Sequence, residues 1–487
     1  MDRTTALAGH PPTELLLDTH RAHSRRVRSR LVEAGLHDGA TWRISPTPFL
    51  LTSADLAAIE SLGLHLLRFT RALNRLYYDS VRGVQPRWAA ECLDQGKPPD
   101  LLDDARMNRF HAALPGVFRP DLILTEDGFM ISELDAVPGG IGLTGCMAQA
   151  YADLGWPIIG GRNGMVEGFG KMIRSLQTAR PASLAIVVSE ESKDYRPEMR
   201  WLAARLRETG LPAEAVSPGD VIFTEDGLSL GEAKAVTTLY RFFELFDLKN
   251  IPKAELLLYA VKKGRVTMTP PAKPWLEEKM AFALLHHPAL EPYWRQELGQ
   301  DTFELLSRRM PRTWILDPRP VPPHAVIPGL TVEGRGVSDW KTIAGLGQKG
   351  RRFVLKPSGF SELAWGSRGV SVGHDLPQKE WADALDAGLS SFPKVPYILQ
   401  EFRKGRRVAA SWHDPVTDEI VSMQGRVRLS PYYFVAGPPP TTVELAGILA
   451  TVCPLDKKLI HGMTDAVMAP CALARPGEAA STVVPTP

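Results

Sequence analysis

The first part of the chain repeats apolar residues at helical spacing. The segments "PTELLLDTHRAHSRRVRSRLVEAG" and "SADLAAIESLGLHLLRFTRALNRLYYDSV" place apolar side chains three or four positions apart, which is typical of amphipathic helices. Ser53 followed by Asp55 predicts the start of the second helix. The arginines that crowd the first segment are typical of a solvated helix face. The pattern therefore predicts an N-terminal helical region over residues 1–115.

Between residues 121 and 140, "DLILTEDGFMISELDAVPGG", the pattern becomes that of a β-hairpin. Two apolar runs flank Glu126-Asp127-Gly128, and a final glycine suits a three-residue loop that needs a left-handed backbone. In this register Asp121 lies opposite Glu133. Side chains alternate along a strand, so we expect two faces, one with Ile131, Glu133 and Asp135 and the other with Met130, Ser132 and Leu134.

The crowding of three carboxylates on one face of the hairpin needs an explanation, because neighbouring carboxylates repel and raise one another's pKa. A hard divalent cation bound by the oxygens of Asp121, Glu133 and Asp135 would resolve the conflict. A solvated outer face of a two-stranded ribbon is the alternative, and these residues alone leave both interpretations open. The following Pro138-Gly139-Gly140 either lets backbone approach a reacting centre or simply turns into a helix.

Strand and helix patterns alternate between residues 181 and 255. "SLAIVVSEE" predicts a strand, "DYRPEMRWLAARLRETG" predicts a helix, and "GLSLGEAKAVTTLYRFFEL" predicts a hairpin and a further strand. This order indicates a small doubly wound, Rossmann-like α/β unit. No glycine fingerprint follows the first strand, so the fold does not by itself imply NAD.

The C-terminal part predicts a lobe of helices and strands over residues 256–471. A helix opened by prolines, "PPAKPWLEEKMAFALLHH", precedes a Pro-rich connector, and strand patterns follow in "RRFVLKPSGFSELAWGSRGVSVG" and "PYILQEFRKGRRVAASW". Residues 472–487 are small, polar and rich in proline, which predicts a disordered tail.

Composition narrows the class of protein. A chain of 487 residues is long enough for two to four domains, and 44% hydrophobic with 23% charged residues is typical of a soluble globular protein. The net charge of +2 gives no electrostatic reason to expect nucleic acid or an anionic membrane as the main partner. Four widely separated cysteines favour buried thiols in a reducing compartment. With no apolar run of signal-peptide or membrane length, we expect a cytoplasmic location; the sequence does not predict the oligomeric state.

A second group of polar residues follows an apolar strand near residue 356. Lys356 is followed by Pro357-Ser358-Gly359 and, ten positions on, by the loop Gly366-Ser367-Arg368-Gly369. Glycines let backbone N–H groups approach an anion, and Lys and Arg supply charge, although a glycine-rich hairpin is the simpler interpretation. Gln400 and Glu401 end the strand "YILQEF", where they either meet a planar base or lie on the surface. Lys356 and the glycine loop could bind phosphate, and the carboxylates of the hairpin could bind Mg²⁺. Together these two features favour a nucleotide-dependent enzyme.

The order of these motifs resembles that of the circularly permuted ATP-grasp ligases, whose best-known relative is the synthetase domain of glutathionylspermidine synthase. Ordinary ATP-grasp chains carry the phosphate-binding lysines first, whereas here the carboxylate hairpin comes first, as in the permuted branch. In that relative, Arg-x-Asp is followed after a hairpin by Glu-x-Asn; Arg119-Pro120-Asp121 and Glu133-Leu134-Asp135 are similar, with Asp135 in place of Asn. The resemblance covers roughly residues 115–470 and offers no counterpart for the first hundred.

The resemblance implies a role for each matched residue. The implied Mg²⁺ ligands are Asp121, Glu133 and Asp135. The implied role of Arg119 is to stabilise the phosphoryl group during its transfer. Lys279 in "LEEKMAFALL" is similar to the lysine of an Asn-Lys-Ala motif, from which Glu278 and Met280 depart. The implied ATP-binding residues are Lys279, Lys356, Gly366, Ser367, Arg368, Gly369, Gln400 and Glu401.

The fold implied is α/β (α+β): a circularly permuted ATP-grasp with a small Rossmann-like unit and an N-terminal helical region. Residues 116–180 form its segment with the Mg²⁺-binding hairpin, and residues 256–471 form its nucleotide-binding lobes.

The function implied is that of an ATP-dependent carboxylate–amine ligase, which uses ATP and Mg²⁺ and forms an amide or peptide bond through an acyl phosphate. Its substrates would be a small-molecule carboxylate and an amine, of which a peptide or a polyamine are examples. Two alternatives remain: an ATP-dependent phosphotransferase, or a non-catalytic nucleotide-binding protein that kept the fold. The complete carboxylate set and the two lysines argue against the second.

Overall fold

The computed structural model describes residues 13–176, 181–231, 234–322, 324–366, 368–437, 441–457 and 464–475. Within these ranges the chain is a mixed α/β protein with one large sheet, two four-stranded sheets and two smaller ones. The coarse prediction of an α/β (α+β) fold is therefore confirmed. No helix of the described residues is long and apolar enough to cross a membrane.

The N-terminal region is helical, as predicted, but two short strands interrupt it. Thr52, rather than Ser53, caps the second helix, since its hydroxyl accepts a hydrogen bond from the backbone N–H of Asp55. The elements are α1 Thr13–Glu33, β1 Arg43–Ile44, β2 Phe49–Leu51, α2 Ser53–Val81, α3 Arg87–Asp94 and α4 Pro99–Ala105.

The middle of the chain forms the hairpin, two helices and a four-stranded parallel sheet. The parallel sheet has the order β11-β10-β5-β6, so this unit extends to residue 269, beyond the predicted boundary at 255. Strands β7, β8 and β9 form a separate antiparallel sheet. The elements are β3 Val117–Thr125, β4 Gly128–Asp135, α5 Ile141–Ala152, α6 Gly164–Ser175, β5 Leu184–Val188, α7 Arg196–Glu208, β6 Ala213–Val216, β7 Val221–Thr224, β8 Gly227–Leu230, β9 Lys234–Val236, β10 Thr238–Phe242, α8 Ala254–Lys262 and β11 Thr267–Thr269.

The C-terminal part forms a four-stranded antiparallel sheet and then the long strands of the large sheet. The former has the order β12-β17-β15-β16. The elements are α9 Ala281–His286, α10 Glu291–Leu298, α11 Gln300–Arg309, β12 Thr313–Ile315, β13 Thr331–Val332, β14 Arg335–Gly336, α12 Trp340–Ala344, β15 Phe353–Pro357, β16 Ser371–Val372, α13 Gln378–Ser391, β17 Tyr397–Glu401, β18 Arg407–Asp414, β19 Glu419–Ala436, β20 Thr442–Pro454 and β21 Val467–Leu473.

The large sheet joins the two ends of the chain. Its order is β1-β21-β20-β19-β3-β4, with β18 also paired to β19 and β2 also paired to β21. The last strand, β21, thus pairs in parallel with both N-terminal strands. The predicted tail from residue 472 overlaps the end of this strand by two residues, and its part from residue 476 lies outside the described residues.

The large sheet has a hydrophobic core on each face, because successive side chains point to opposite sides. Tyr433 contributes to the core that includes helix α2, whereas Tyr432 and Phe434 contribute to the core that includes α5 and α6. The core against α2 also contains residues of α9, α10 and α11. Helix α2 and the C-terminal helices α9, α10 and α11 therefore share one core.

The register of the hairpin corrects two details of the sequence-based prediction. Thr125 pairs with Gly128, which has φ +106°, so the loop has two residues instead of three. Asp121 pairs with Glu133 as predicted, but the register then shifts and Leu122 pairs with Ile131. Ser132 is thus the extra residue of a β-bulge. As a result Ile131 lies in the core on the opposite face from Glu133, rather than beside it.

Candidate active site

The two predicted lysines converge on the carboxylate hairpin. Lys279 Nζ lies 2.7 Å from Glu133 Oε1. Lys356, at the end of β15, donates to the backbone oxygen of Ser132 (3.3 Å) and to Gln400 Oε1 on β17 (2.9 Å). The structure therefore brings together five residues that are up to 268 positions apart in the sequence, from Ser132 to Gln400. Ser132, the bulge residue of β4, is one of the contacts of Lys356.

The opposite charges of Glu133 and Lys279 stabilise each other. Although burial would raise the pKa of Glu133, the ammonium of Lys279 lowers it. Burial would likewise lower the pKa of Lys279, but Glu133 raises it. Burial lowers the pKa of Lys356. Glu133 and Lys279 therefore form an ion pair with both groups charged near neutral pH.

Arg119 holds the other two carboxylates of the hairpin. Its guanidinium lies 3.3 Å from Asp121 Oδ1 and 3.1 Å from Asp135 Oδ2, and it donates to the backbone oxygen of Gly139. Burial would lower the pKa of Arg119, but Asp121 and Asp135 outweigh that effect and raise it. Burial raises the pKa of Asp135 in spite of the arginine.

Asp121 has two further partners on β19. Arg428 Nη1 lies 3.2 Å from Asp121 Oδ2, and Ser430 Oγ donates to Oδ1 at 3.1 Å. Arg426, Arg428 and Ser430 alternate along "GRVRLS", which places the three side chains on one face of the strand.

The carboxylate oxygens of Asp121, Glu133 and Asp135 are the donors that Mg²⁺ prefers. Within the described ranges, however, no group of three His, Cys, Asp or Glu side chains is placed to hold a metal ion. Instead, each of the three carboxylates contacts an arginine or lysine. The donor chemistry fits the metal, and the assignment of these residues as ligands stays a prediction.

The predicted glycine loop lies next to Lys279 and Lys356. Lys279 Nζ donates to the backbone oxygen of Ala364 (3.1 Å), and a Cβ on Gly369 would lie 2.6 Å from Pro357 Cγ. Gly366 has φ +63°. Arg368 is half exposed and pairs with Glu191 at 3.2 Å, on the side of the parallel-sheet unit rather than with the lysines. Ser367 lies outside the described residues.

Glu401 does not contact the lysines in this arrangement. Its backbone N–H donates to the oxygen of Arg312, and its side chain accepts from Arg403 at 2.6 Å. The position at the end of β17 agrees with the predicted strand end. Its contact with a base stays a prediction.

A cavity of about 80 Å³ opens beside the ion pair of Glu133 and Lys279. Its wall also includes Asp135, Glu244 and Glu277. Burial and then the neighbouring Glu277 raise the pKa of Glu244 to about 8. Sequence reasoning missed Glu244, although a carboxylate two residues after the buried strand β10 was a visible signal.

The Pro138-Gly139-Gly140 turn starts helix α5, and its backbone also contacts Arg119. Its approach to a reacting centre stays a prediction. Arg119 and the hydroxyl of Tyr432 both donate to the oxygen of Gly139. The buried carboxylate of Glu198 accepts from the backbone N–H groups of Gly140 (2.7 Å) and Leu143 (3.0 Å). Burial raises the pKa of Glu198 to about 7.

We expect Gly140→Ala to destabilise the protein by about 2 kcal/mol, since a Cβ at a left-handed position is strained. Gly140 has φ +87°, and an added Cβ would lie 2.4 Å from Tyr432 Oη. Gly347→Ala is the matched control, because a Cβ there meets no atom within 4 Å. The midpoints of urea unfolding measure both effects. Equal midpoints for the two variants would contradict the close packing of this turn.

Comparisons with known proteins give a fold and no family. No family model matches the chain, and no curated protein matches it significantly. A solved structure of a glutathione synthetase-like effector from Globodera pallida, in its apo form, matches with a TM-score of 0.59 at 10% identity, over 96% of this chain and 98% of that one. At this identity the match shows that the two chains share a fold.

Two further solved structures resemble the chain more weakly. One is described as a gamma-glutamylcysteine synthetase from Methylobacillus flagellatus, with a TM-score of 0.37, 12% identity and coverage of 83% of this chain and 84% of that one. The other is a D-alanyl-alanine synthetase A from Vibrio cholerae, with a TM-score of 0.23, 8% identity and coverage of 60% and 89%. Likeness at these scores carries no further weight.

Proposed function

We propose that this protein is an ATP-dependent carboxylate–amine ligase of the circularly permuted ATP-grasp type. The observation that carries the proposal is the convergence of Lys279 and Lys356 on the hairpin of Arg119, Asp121, Glu133 and Asp135. The shared fold with a glutathione synthetase-like effector supports it. The likeness to glutathionylspermidine synthase in particular rests on sequence motifs alone.

The nucleotide would bind through the two lysines. Phosphate oxygens of ATP would replace Glu133 as the partner of Lys279, and Lys356 would contribute a second cation held in place by Gln400. Charge-assisted bonds of this kind to phosphate are roughly twice as strong as neutral ones. Backbone N–H groups of the loop 366–369 would complete the phosphate site, and Gln400 and Glu401 would lie near the base.

Mg²⁺ would be held by Asp121, Glu133 and Asp135. Once Lys279 binds phosphate, Glu133 is available as an oxygen donor. A bound Mg²⁺ supplies screening of the negative charge on the triphosphate.

The reaction would proceed in two steps. A substrate carboxylate oxygen attacks the γ-phosphorus of ATP, ADP leaves, and an acyl phosphate forms. The amine nitrogen then attacks the acyl carbon, inorganic phosphate leaves, and the amine loses a proton. Arg119 and the lysines would hold the phosphoryl oxygens during both transfers, where fixed positive charge stabilises the developing negative charge.

The decisive experiment measures ADP release from ATP and Mg²⁺ against pooled carboxylates and amines, with mass spectrometry of the products. A condensed product with loss of water identifies a ligase. A stable phosphorylated product would instead identify a phosphotransferase. ATP binding with no release of ADP over the whole pool would contradict an enzymatic role and favour a nucleotide-binding protein.

We also expect ATP with Mg²⁺ to raise the thermal unfolding midpoint by about 2 to 4 °C at saturating concentration, because a ligand that binds only the folded state stabilises it by mass action. Differential scanning fluorimetry with ATP and Mg²⁺, with ATP and EDTA, and with Mg²⁺ alone separates the contributions. An unchanged midpoint at millimolar ATP and Mg²⁺, for protein shown to be folded, would contradict the nucleotide site.

A further inference from the structure

A buried ion pair joins the N-terminal helical region to the segment that carries Lys279. Lys97, between α3 and α4, places its ammonium 2.6 Å from Glu278 Oε1, and the exposed fractions of the two side chains are 0% and 1%. The ammonium also lies 5.7 Å from the ring centre of Phe360. Removing one partner of a buried charge pair strongly destabilises the folded protein, because the other charge stays buried without compensation.

Glu278 in turn fixes the relative position of the two lysine segments. The hydroxyl of Ser358, two residues after Lys356, donates to Glu278 Oε2 and accepts from the backbone N–H of Met280 at 2.9 Å. The backbone oxygen of Ser358 accepts from the N–H of Lys279 at 2.8 Å. One serine therefore binds the segments of both lysines, and Glu278 holds that serine.

Close backbone packing fixes this arrangement on both sides. A Cβ on Gly359 would lie 2.8 Å from the backbone oxygen of Glu277. A Cβ on Gly96 would lie 1.9 Å from the backbone oxygen of Lys394, and Gln95 Nε2 donates to the oxygen of Pro393 at 2.7 Å. The loop that carries Lys97 is thus packed directly on the nucleotide lobe.

We infer that Lys97 is a positioning residue for the phosphate-binding lysines, acting through Glu278 and Ser358. The inference rests on the proposed function and extends it, because it gives the N-terminal region a role in nucleotide binding. It also explains the departure of Glu278 from the Asn-Lys-Ala motif, since the carboxylate has a buried cation as its partner.

The test compares Lys97→Met and Ser358→Ala with Lys273→Met. Lys273 is the matched control, because it is another buried lysine at the junction of the two regions, but its ammonium contacts Asn74, His111 and Ala113. Isothermal titration calorimetry gives the affinity for ATP and Mg²⁺, and thermal unfolding gives stability. We expect Lys97→Met and Ser358→Ala to weaken ATP binding about tenfold, since small misplacements of binding groups have large effects. Lys273→Met should lower stability and leave the affinity unchanged.

Lys97→Met leaves Glu278 buried without its cation, so this variant alone can fail to fold. The double variant Lys97→Met/Glu278→Gln removes both charges and keeps a polar group beside Ser358, and it should restore stability and bring the affinity back towards that of the wild type. Ser358→Ala loses only a hydroxyl, so we expect it to fold. If Lys97→Met does not fold, the ATP affinity of Ser358→Ala tests the inference. Unchanged ATP affinity in Ser358→Ala, or equal losses in Lys97→Met and Lys273→Met, would overturn the inference.

Hydrogen exchange gives a readout that does not depend on ATP. The amide of Met280 should exchange faster in Ser358→Ala than in the wild type, because its N–H is bonded to the hydroxyl that alanine lacks. The N–H of Lys279 is bonded to the backbone oxygen of Ser358, which alanine retains. If the wild type bound no ATP, the proposed function would fail while this measurement still reported on the positioning contacts. Unchanged protection of the Met280 amide would show that the Ser358 hydroxyl does not hold the segment.

Discussion

Replacing Glu133 with Gln should lower turnover by about two to three orders of magnitude, the size expected when one fixed electrostatic contribution is removed from a transition state. Glu133 is the carboxylate that faces Lys279 and, in the proposed mechanism, a ligand of Mg²⁺. Gln keeps the size and hydrogen-bonding capacity of the side chain but removes its charge. We therefore expect the variant to fold like the wild type and to need more Mg²⁺ for half-maximal activity.

The measurement is ADP release over a Mg²⁺ titration, with folding checked by circular dichroism. Glu126→Gln is the matched control, since Glu126 lies exposed in the loop of the same hairpin. If Glu133→Gln had the turnover and Mg²⁺ dependence of the wild type, the carboxylates would be no more than the solvated face of a two-stranded ribbon. The proposal of a ligase would then lose its main support.

Lys356→Ala should weaken ATP binding by about 100-fold, because the proposed contact between this ammonium and a phosphate of ATP would be lost. Loss of one partner from a buried charge pair costs about 2 to 5 kcal/mol of binding free energy. Lys356 lies on a sheet strand, and Gln400 and the backbone of Ser132 direct its ammonium towards Glu133. The variant should lose little thermal stability, since burial already lowers the pKa of this lysine and disfavours its charge.

Isothermal titration calorimetry with ATP and Mg²⁺ measures the affinity of Lys356→Ala and of a control variant. Lys379→Ala is the control, because that lysine is 87% exposed and pairs only with its helix neighbour Asp383 among the ion pairs of the described residues. Equal affinities for wild type and Lys356→Ala would remove the assignment of residues 256–471 as nucleotide-binding lobes.

Local patterns were enough to predict the elements of the site. Alternation and a glycine turn gave the hairpin, and the pairing of Asp121 with Glu133 was correct because the additional loop residue that was predicted offsets the bulge that was not. The apolar run before Lys356 gave the strand that presents it. These features depend on near neighbours in sequence, which is why they could be predicted.

Features that depend on distant partners could not be predicted. The bulge at Ser132 arises from pairing with β3 and leaves no mark on the alternation of β4 itself. Strands β1 and β2 have two and three residues and exist because β21 pairs with them. Nothing in the sequence near Lys97 indicates its buried ion pair, since its partner Glu278 is 181 positions away.

The pairing of β1 and β2 with β21 has a consequence for the newly made chain. Residues 43–51 cannot complete their part of the large sheet until residues 467–473 have been synthesised. At about 5 to 20 residues per second this interval lasts about 20 to 80 s. During that time two strand edges and part of the shared core lack their partners, and contacts of such long sequence separation also form slowly. The large sheet is therefore complete only after its C-terminal strand has been synthesised, and until then the unpaired strand edges and exposed apolar surface favour aggregation.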